Sequence, residues 1–287
     1  MARIRRRLVP LLVLVLLLLA GCVALGMESV ANQIAHADAV YLSRYLPANM
    51  DETITLYESV LPSLSTLSVQ SQAHILDRLS QLCYEATMLT EGNTPEDEAL
   101  FIKGKDYAFQ SLRLNEEFVT HNRNGLRAAL QYATDPAATY WAASNWGMIL
   151  KMNPMKGLME QGSVIDLFER TIELDRDFFG GGAASSLGSL LVMVPSMMGG
   201  DDKRGLALIQ ESIEMDPTYL RNRVILAEYW GFTYNMFGKL TGVRDAELIE
   251  KETAIVLSTD IGDWPFWNRQ AKAEAKRLLA QLHEMTH

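Results

Sequence analysis

The residues of this 287-residue chain that could carry chemistry are two cysteines, five histidines, two glycine-rich runs and a cluster of aromatics. Cys22 follows Leu19-Ala20-Gly21, after a basic head (Arg3, Arg5, Arg6, Arg7) and an apolar run from Leu8 to Leu18. A basic head, a short apolar segment and small residues before a cut are the layout of a secretory signal peptide. The run is shorter than the ~20 apolar residues that a membrane-spanning helix needs. Cys83 lies among Leu79, Leu82 and Ala86 and reads as a small buried hydrophobe. No pair of cysteines has metal-ligand or redox spacing.

His36, His74, His121, His283 and His287 are scattered, none in an HExxH frame or beside a cysteine, so no metal site is expected. No GxSxG elbow and no SxxK serine occurs. Gly180-Gly181-Gly182 has no preceding strand and no following GK[ST], so it reads as a hinge between units rather than a phosphate loop. Gly199-Gly200-Asp201-Asp202 reads as a turn followed by an aspartate that caps the helix Lys203–Met215. Tyr140-Trp141…Trp146 lie on one helix. If Trp146 takes the packing position, Trp141 and Asn145, one turn apart, are the candidates to line a ligand or partner surface. Trp264-Pro265-Phe266-Trp267 opens the last helix and serves either packing or a subunit contact. No catalytic residue and no cofactor follow from any of this.

The run up to Cys22 resembles the bacterial lipobox, which implies that Cys22 is lipidated and becomes the mature N-terminus. That divides the chain into a signal peptide, 1–21, and an all-helical domain, 22–287. Removing the leader takes four basic residues, leaving 22 basic against 35 acidic ones, a charge of −13. Such an acidic chain suits neither nucleic acid nor an electrostatic hold on anionic lipid. Anchoring falls to the acyl chains, and two or more hold stably where one is marginal.

The elements that carry these residues follow from a repeat. At an offset of 41, Ala143, Ser144, Gly147, Leu150 and Pro154 fall on Ala184, Ser185, Gly188, Leu191 and Pro195. The same offset pairs Ile172-Glu173-Leu174-Asp175 with Ile213-Glu214-Met215-Asp216, and Phe178 with Tyr219. Each unit reads as two helices. The first carries Gly147 or Gly188 where a Cβ would obstruct a neighbour, and the second carries apolar residues at helical spacing. Leu187-Gly188 and Pro217 fit the tetratricopeptide pattern, but the period is 41 residues against about 34. The extra length is expected in enlarged turns around Met155-Lys156-Gly157 and Met198-Gly199-Gly200. A degenerate earlier copy ends at Leu112–Asn115 with Phe118, and a fourth spans 225–259. Helices are further predicted over 28–46, 52–67, 70–90 and 263–283, with turns at 47–49 and 91–95 and no strand. The fold class is all-α, built of tetratricopeptide-like helical hairpins.

Beyond the repeat, Trp146-Gly147, Gly188, Val194-Pro195, Gly199-Gly200-Asp201, Tyr219-Leu220 and Leu226-Ala227-Glu228-Tyr229 come in an order that resembles the T component of tetratricopeptide-associated TRAP transporters, the TatT family. The resemblance implies a periplasmic lipoprotein, a homotrimer with a pore in each protomer, and association with the solute-binding (P) component. It also implies delivery of a hydrophobic or organic-acid ligand. Val23 rather than Asp after the cysteine favours the outer membrane by the same analogy. Trp146 in place of the usual Leu, and Arg176 in place of the repeat proline, are departures. The alternative is a tetratricopeptide-like scaffold lipoprotein for envelope assembly. A lipid-anchored hydrolase lacks any nucleophile–base signature.

Overall fold

The computed structural model describes residues 29–90, 94–235 and 238–286; Cys22 and the leader lie outside the described residues. Along the chain run α1 (Val30–Tyr41), α2 (Pro47–Val60), α3 (Val69–Thr87), α4 (Pro95–Leu112) and two short helices, α5 (Glu116–His121) and α6 (Leu126–Leu130). The repeat region follows: α7 (Pro136–Met152), α8 (Pro154–Leu174), α9 (Phe178–Met193) and α10 (Asp202–Met215). The chain then forms α11 (Arg221–Tyr229), a β-hairpin of β1 (Phe232–Tyr234) and β2 (Leu240–Val243), α12 (Ala246–Ser258) and α13 (Pro265–Thr286). The fold is all-α apart from that hairpin.

Local chemistry sets the helix starts. Thr94 and Asp97 form a reciprocal capping box ahead of Pro95, so α4 begins with two orphan amides satisfied. Asp135 accepts from the Ala137 amide at 2.8 Å and starts α7. Asp201 accepts from the Arg204 amide at 3.0 Å and starts α10, one residue earlier than the sequence predicts. Pro47, expected in a turn, instead opens α2, where its missing N–H costs nothing.

The 41-residue register holds at the level of contacts. In the hairpin α7–α8, a Cβ on Gly147 would sit 3.6 Å from Val164. In α9–α10 the equivalent pair is Gly188 and Gly205, and a Cβ on Gly188 would lie 2.6 Å from the Gly205 carbonyl oxygen. The expected close approach at the repeat glycine is therefore real at Gly188, where backbone meets backbone. At Gly147 the Val164 side chain fills the gap, and the contact is ordinary.

The units absorb their extra residues differently. No enlarged turn exists at 155–157, because Pro154 starts α8 directly after Asn153 and the length goes into a 21-residue helix. In the second unit, Pro195 leads into a 3-10 turn (Ser196–Met198), and Gly199 takes φ +97° before Asp201, as the glycines there suggest. Pro217 stands just past the end of α10, and Asp216 accepts from the Trp264 indole at 3.0 Å. The predicted fourth copy is interrupted, since the β-hairpin lies between α11 and α12.

The triglycine joins the two hairpins, but as a packed left-handed turn rather than a hinge. Phe179, Gly180 and Gly181 all have positive φ (55°, 64° and 71°). A Cβ on Gly180 would press on the Tyr219 ring at 3.0 Å, and one on Gly182 would meet the Tyr140 hydroxyl at 2.7 Å. By the repeat offset, Gly181-Gly182 occupy the places of Tyr140-Trp141. At Gly182 this makes room for Tyr140 of the first unit, and at Gly181 for Ser212 and Met215 of the second unit itself.

The candidate ligand cavity

Inside the curve of the helices lies a cavity of about 690 Å³, within the size range of small-molecule sites. One face of α7 contributes Tyr140, Ser144, Gly147 and Lys151, spaced so that they follow one another up the helix. Val164 and Phe168 enter from α8, and Ser185, Ser189 and Met193 from α9. Arg221 and Glu228 of α11, with Gln270, Glu274 and Arg277 of α13, form another wall, and Tyr84 and Trp267 also reach it.

The walls are apolar with polar points. Burial holds the phenols of Tyr84, Tyr140 and Tyr219 above the ordinary tyrosine value, so they remain neutral donors. Arg221 pairs with Glu274, and Arg277 stands 3.7 Å from Glu228. Lys151 donates to the Tyr229 hydroxyl at 3.4 Å. Lys151 is exposed at the end of α7, and Tyr229 beside it, with Glu228, holds its ammonium above the usual lysine range. Among the described residues, no group of three or more His, Cys, Asp and Glu is placed to hold a metal, and no helix is long and apolar enough to cross a membrane.

Trp141 and Asn145 do not line the cavity, contrary to the sequence expectation. Trp141 is 2% exposed and packs against Tyr140, Phe179, Tyr84 and Trp267, with ring centroids 4.7–6.4 Å away. Asn145 is wholly buried, its amide donating to the Trp141 carbonyl at 2.9 Å and to Ser80 at 3.2 Å. Gly104 of α4 lies so close that a Cβ there would fall on the Asn145 side chain. The face of α7 left free for a ligand by sequence is thus filled by the preceding hairpin, α3–α4. Trp146, assigned the packing role, is only half-buried, its indole donating to Glu160 at 2.9 Å. Of the repeat positions, Gly147 and Pro195 do reach the cavity.

The remaining sites resolve as structural. Cys83 is buried, and burial pushes its thiol up to about 12. His74 pairs with Asp38 at 2.8 Å, and His121 stacks on Tyr132 at 3.8 Å. Phe266 and Trp267 are both buried, which decides for packing at the start of α13. Sequence reasoning missed Lys151, Arg221, Glu228, Glu274 and Arg277. The legible signal was the stripe Tyr140, Ser144, Gly147, Lys151, which recurs every three or four residues on α7.

The family described as TRAP transporter T-component matches residues 90–285, more than two thirds of the chain. No curated protein matches it.

Proposed function

We propose, since the chain belongs to the TRAP transporter T-component family, that this accessory protein of a TRAP transport system pairs in the envelope with the extracytoplasmic solute-binding component. Its cavity then holds ligand in transit between the two. The observation that carries this reading is the 690 Å³ cavity with mostly apolar walls and a few convergent polar groups, the form of a small-molecule site rather than of a scaffold's flat contact face. Met155 (72% exposed) and Met159 (86%) stand on the same turns of α8 as Pro154 and Gly157, which line the cavity. Soft, adaptable methionines suit a surface that must engage and release a partner.

The anchor in this reading is lipid on Cys22, and the working form is a homotrimer at the outer membrane, as the family resemblance implies. Tagged full-length protein, extracted from its native envelope, should co-purify with the solute-binding protein of a TRAP system. Cys22→Ser should release the chain from the membrane fraction or leave its leader uncleaved. Recovery with outer-membrane assembly factors alone would favour the scaffold reading, and a mature membrane-bound Cys22→Ser protein would remove the lipid anchor.

A further inference from the structure

The two ends of the hairpin α1–α2 differ in charge. Asp38 of α1 stands 2.8 Å from His74 of α3, and Arg78 of α3 donates to the Tyr41 hydroxyl at 2.7 Å. The two pairs are 36 and 37 residues apart in sequence, so α1 and α3 run in the same direction with their first turns level. At that end the chain has no Asp, Glu, Lys or Arg over residues 29–37 or 59–76. A 3-10 helix, Leu61–Thr66, leads there into α3. Pro62, Thr66 and Val69 are exposed, Val69 by 61%, and Val30, Leu64 and Leu67 are half-buried. The carboxylates that bound the two uncharged stretches are paired or buried: Glu58 takes Lys103, Asp38 takes His74, and Asp77 is buried.

The opposite end of the hairpin also shows apolar groups, with Leu42 69% and Leu46 48% exposed. Charges surround them, however. Asp51 and Glu52 are exposed one turn into α2, and the Arg269 guanidinium lies 4.7 Å from the Tyr45 ring.

The place where the chain is tethered says what covers the uncharged end. Ser29 caps α1, and Cys22 stands seven residues before it, a span of at most ~25 Å. With acyl chains on Cys22, the start of α1 stays within that distance of a bilayer. The chain as a whole is acidic, and anionic lipid repels its carboxylates over a Debye length of ~8–10 Å. An end without charges escapes that repulsion, and its apolar groups suit the headgroup–acyl boundary, where apolar faces settle ~5–10 Å deep.

We propose that the end formed by Val30, Pro62, Leu64, Thr66, Leu67 and Val69 rests on the bilayer that holds the lipid anchor, so that α1 and α3 rise from the surface at their first turns. This rests on lipid at Cys22 and adds to it a second contact, made by the protein itself.

The test uses the full-length lipoprotein, purified with its acyl chains and reconstituted into vesicles of phosphatidylethanolamine and phosphatidylglycerol. Cys83 is buried and Cys22 acylated, so a thiol-reactive NBD dye labels a single new cysteine. On Thr66→Cys and on Val69→Cys the dye should shift to the blue and be quenched by lipid carrying a headgroup nitroxide. On Leu42→Cys it should do neither. Adding Ser65→Asp to Val69→Cys should reduce the quenching while the protein stays on the vesicles. Equal quenching on Leu42→Cys would overturn the proposal, as would its absence on both Thr66→Cys and Val69→Cys. A blue shift there without quenching would mean that a second copy of the chain covers this end, and would overturn it too. In each of these outcomes the protein still floats with the vesicles. Protein that does not float would instead remove the anchor on Cys22, and this contact with it.

Discussion

At the scale of single residues, burial decided which groups could serve a ligand. Trp141 reads as a lining residue because it lies one turn from Asn145 and apart from Trp146 in the packing position, yet three helices close over it. Lys151, which the sequence did not single out, is exposed at the end of α7 and is among the residues that line the cavity. Neither outcome is visible in residue type, because both depend on which hairpin packs against α7. Asp77 is a second hidden group. It is buried on α3 beside Asp135, the N-cap of α7, with Ser111 and Arg78 also near it. Burial, and then the Asp135 charge, raise its carboxyl well above the usual range. The native state then holds a proton that the unfolded chain gives up. Its contribution to stability is greatest below the ordinary aspartate range, about pH 4, and is lost as pH rises to Asp77's raised value. Asp77→Asn keeps the shape without the charge. Urea midpoints at pH 4 and pH 8 should fall less between those values for the variant than for the wild type. Parallel losses would mean that Asp77 does not hold the proton.

Among the elements, the two repeat hairpins were the most legible part of the chain. Their 41-residue offset, the close approach at Gly188 and the cap at Asp201 all describe contacts that form. The offset could not say how tightly each pair closes, because that depends on whether position 164 or 205 carries a side chain. Gly188→Ala should cost about 1–3 kcal/mol by overpacking against the Gly205 carbonyl. Gly147→Ala has ordinary space and should gain up to about 1 kcal/mol from helix propensity. Thermal melts of the two variants should move in opposite directions; equal shifts would mean that the units are not distinguished by this contact. The β-hairpin after α11 escaped prediction because β1 and β2 are three and four residues long, too short for alternation to register. The extra residues near 155 read as an enlarged turn because the 41-residue period exceeds the tetratricopeptide one, whereas Pro154 is well suited to start a helix.

Over the whole molecule, the two ends of the described chain are tied together by one buried carboxylate. Glu85 on α3 accepts from Arg44 at 2.5 and 3.0 Å, from Gln81 at 2.7 Å and from the Trp267 indole at 2.8 Å. The Arg44 pair is two-pronged and shielded from water, which makes each bond strong and its loss costly. Glu85→Ala would leave the buried Arg44 guanidinium without its carboxylate, holding only the Tyr41 carbonyl, and should cost about 3–5 kcal/mol, read from denaturant unfolding. A loss under about 1 kcal/mol would place the pair with surface ion pairs instead.

The same tie has a consequence for how the protein comes into being. Glu85 and Trp267 are 182 residues apart, and α13 supplies Gln270, Glu274 and Arg277 to the cavity wall. Local hairpins such as α7–α8 can close as soon as they are made, whereas contacts so distant in sequence form late. A chain built from its N-terminus therefore has repeats before it has an enclosed space. Trp267 of α13 packs on both Tyr84 and Trp141, so its docking closes that side of the aromatic cluster. The cavity wall is therefore complete only once α13 has docked.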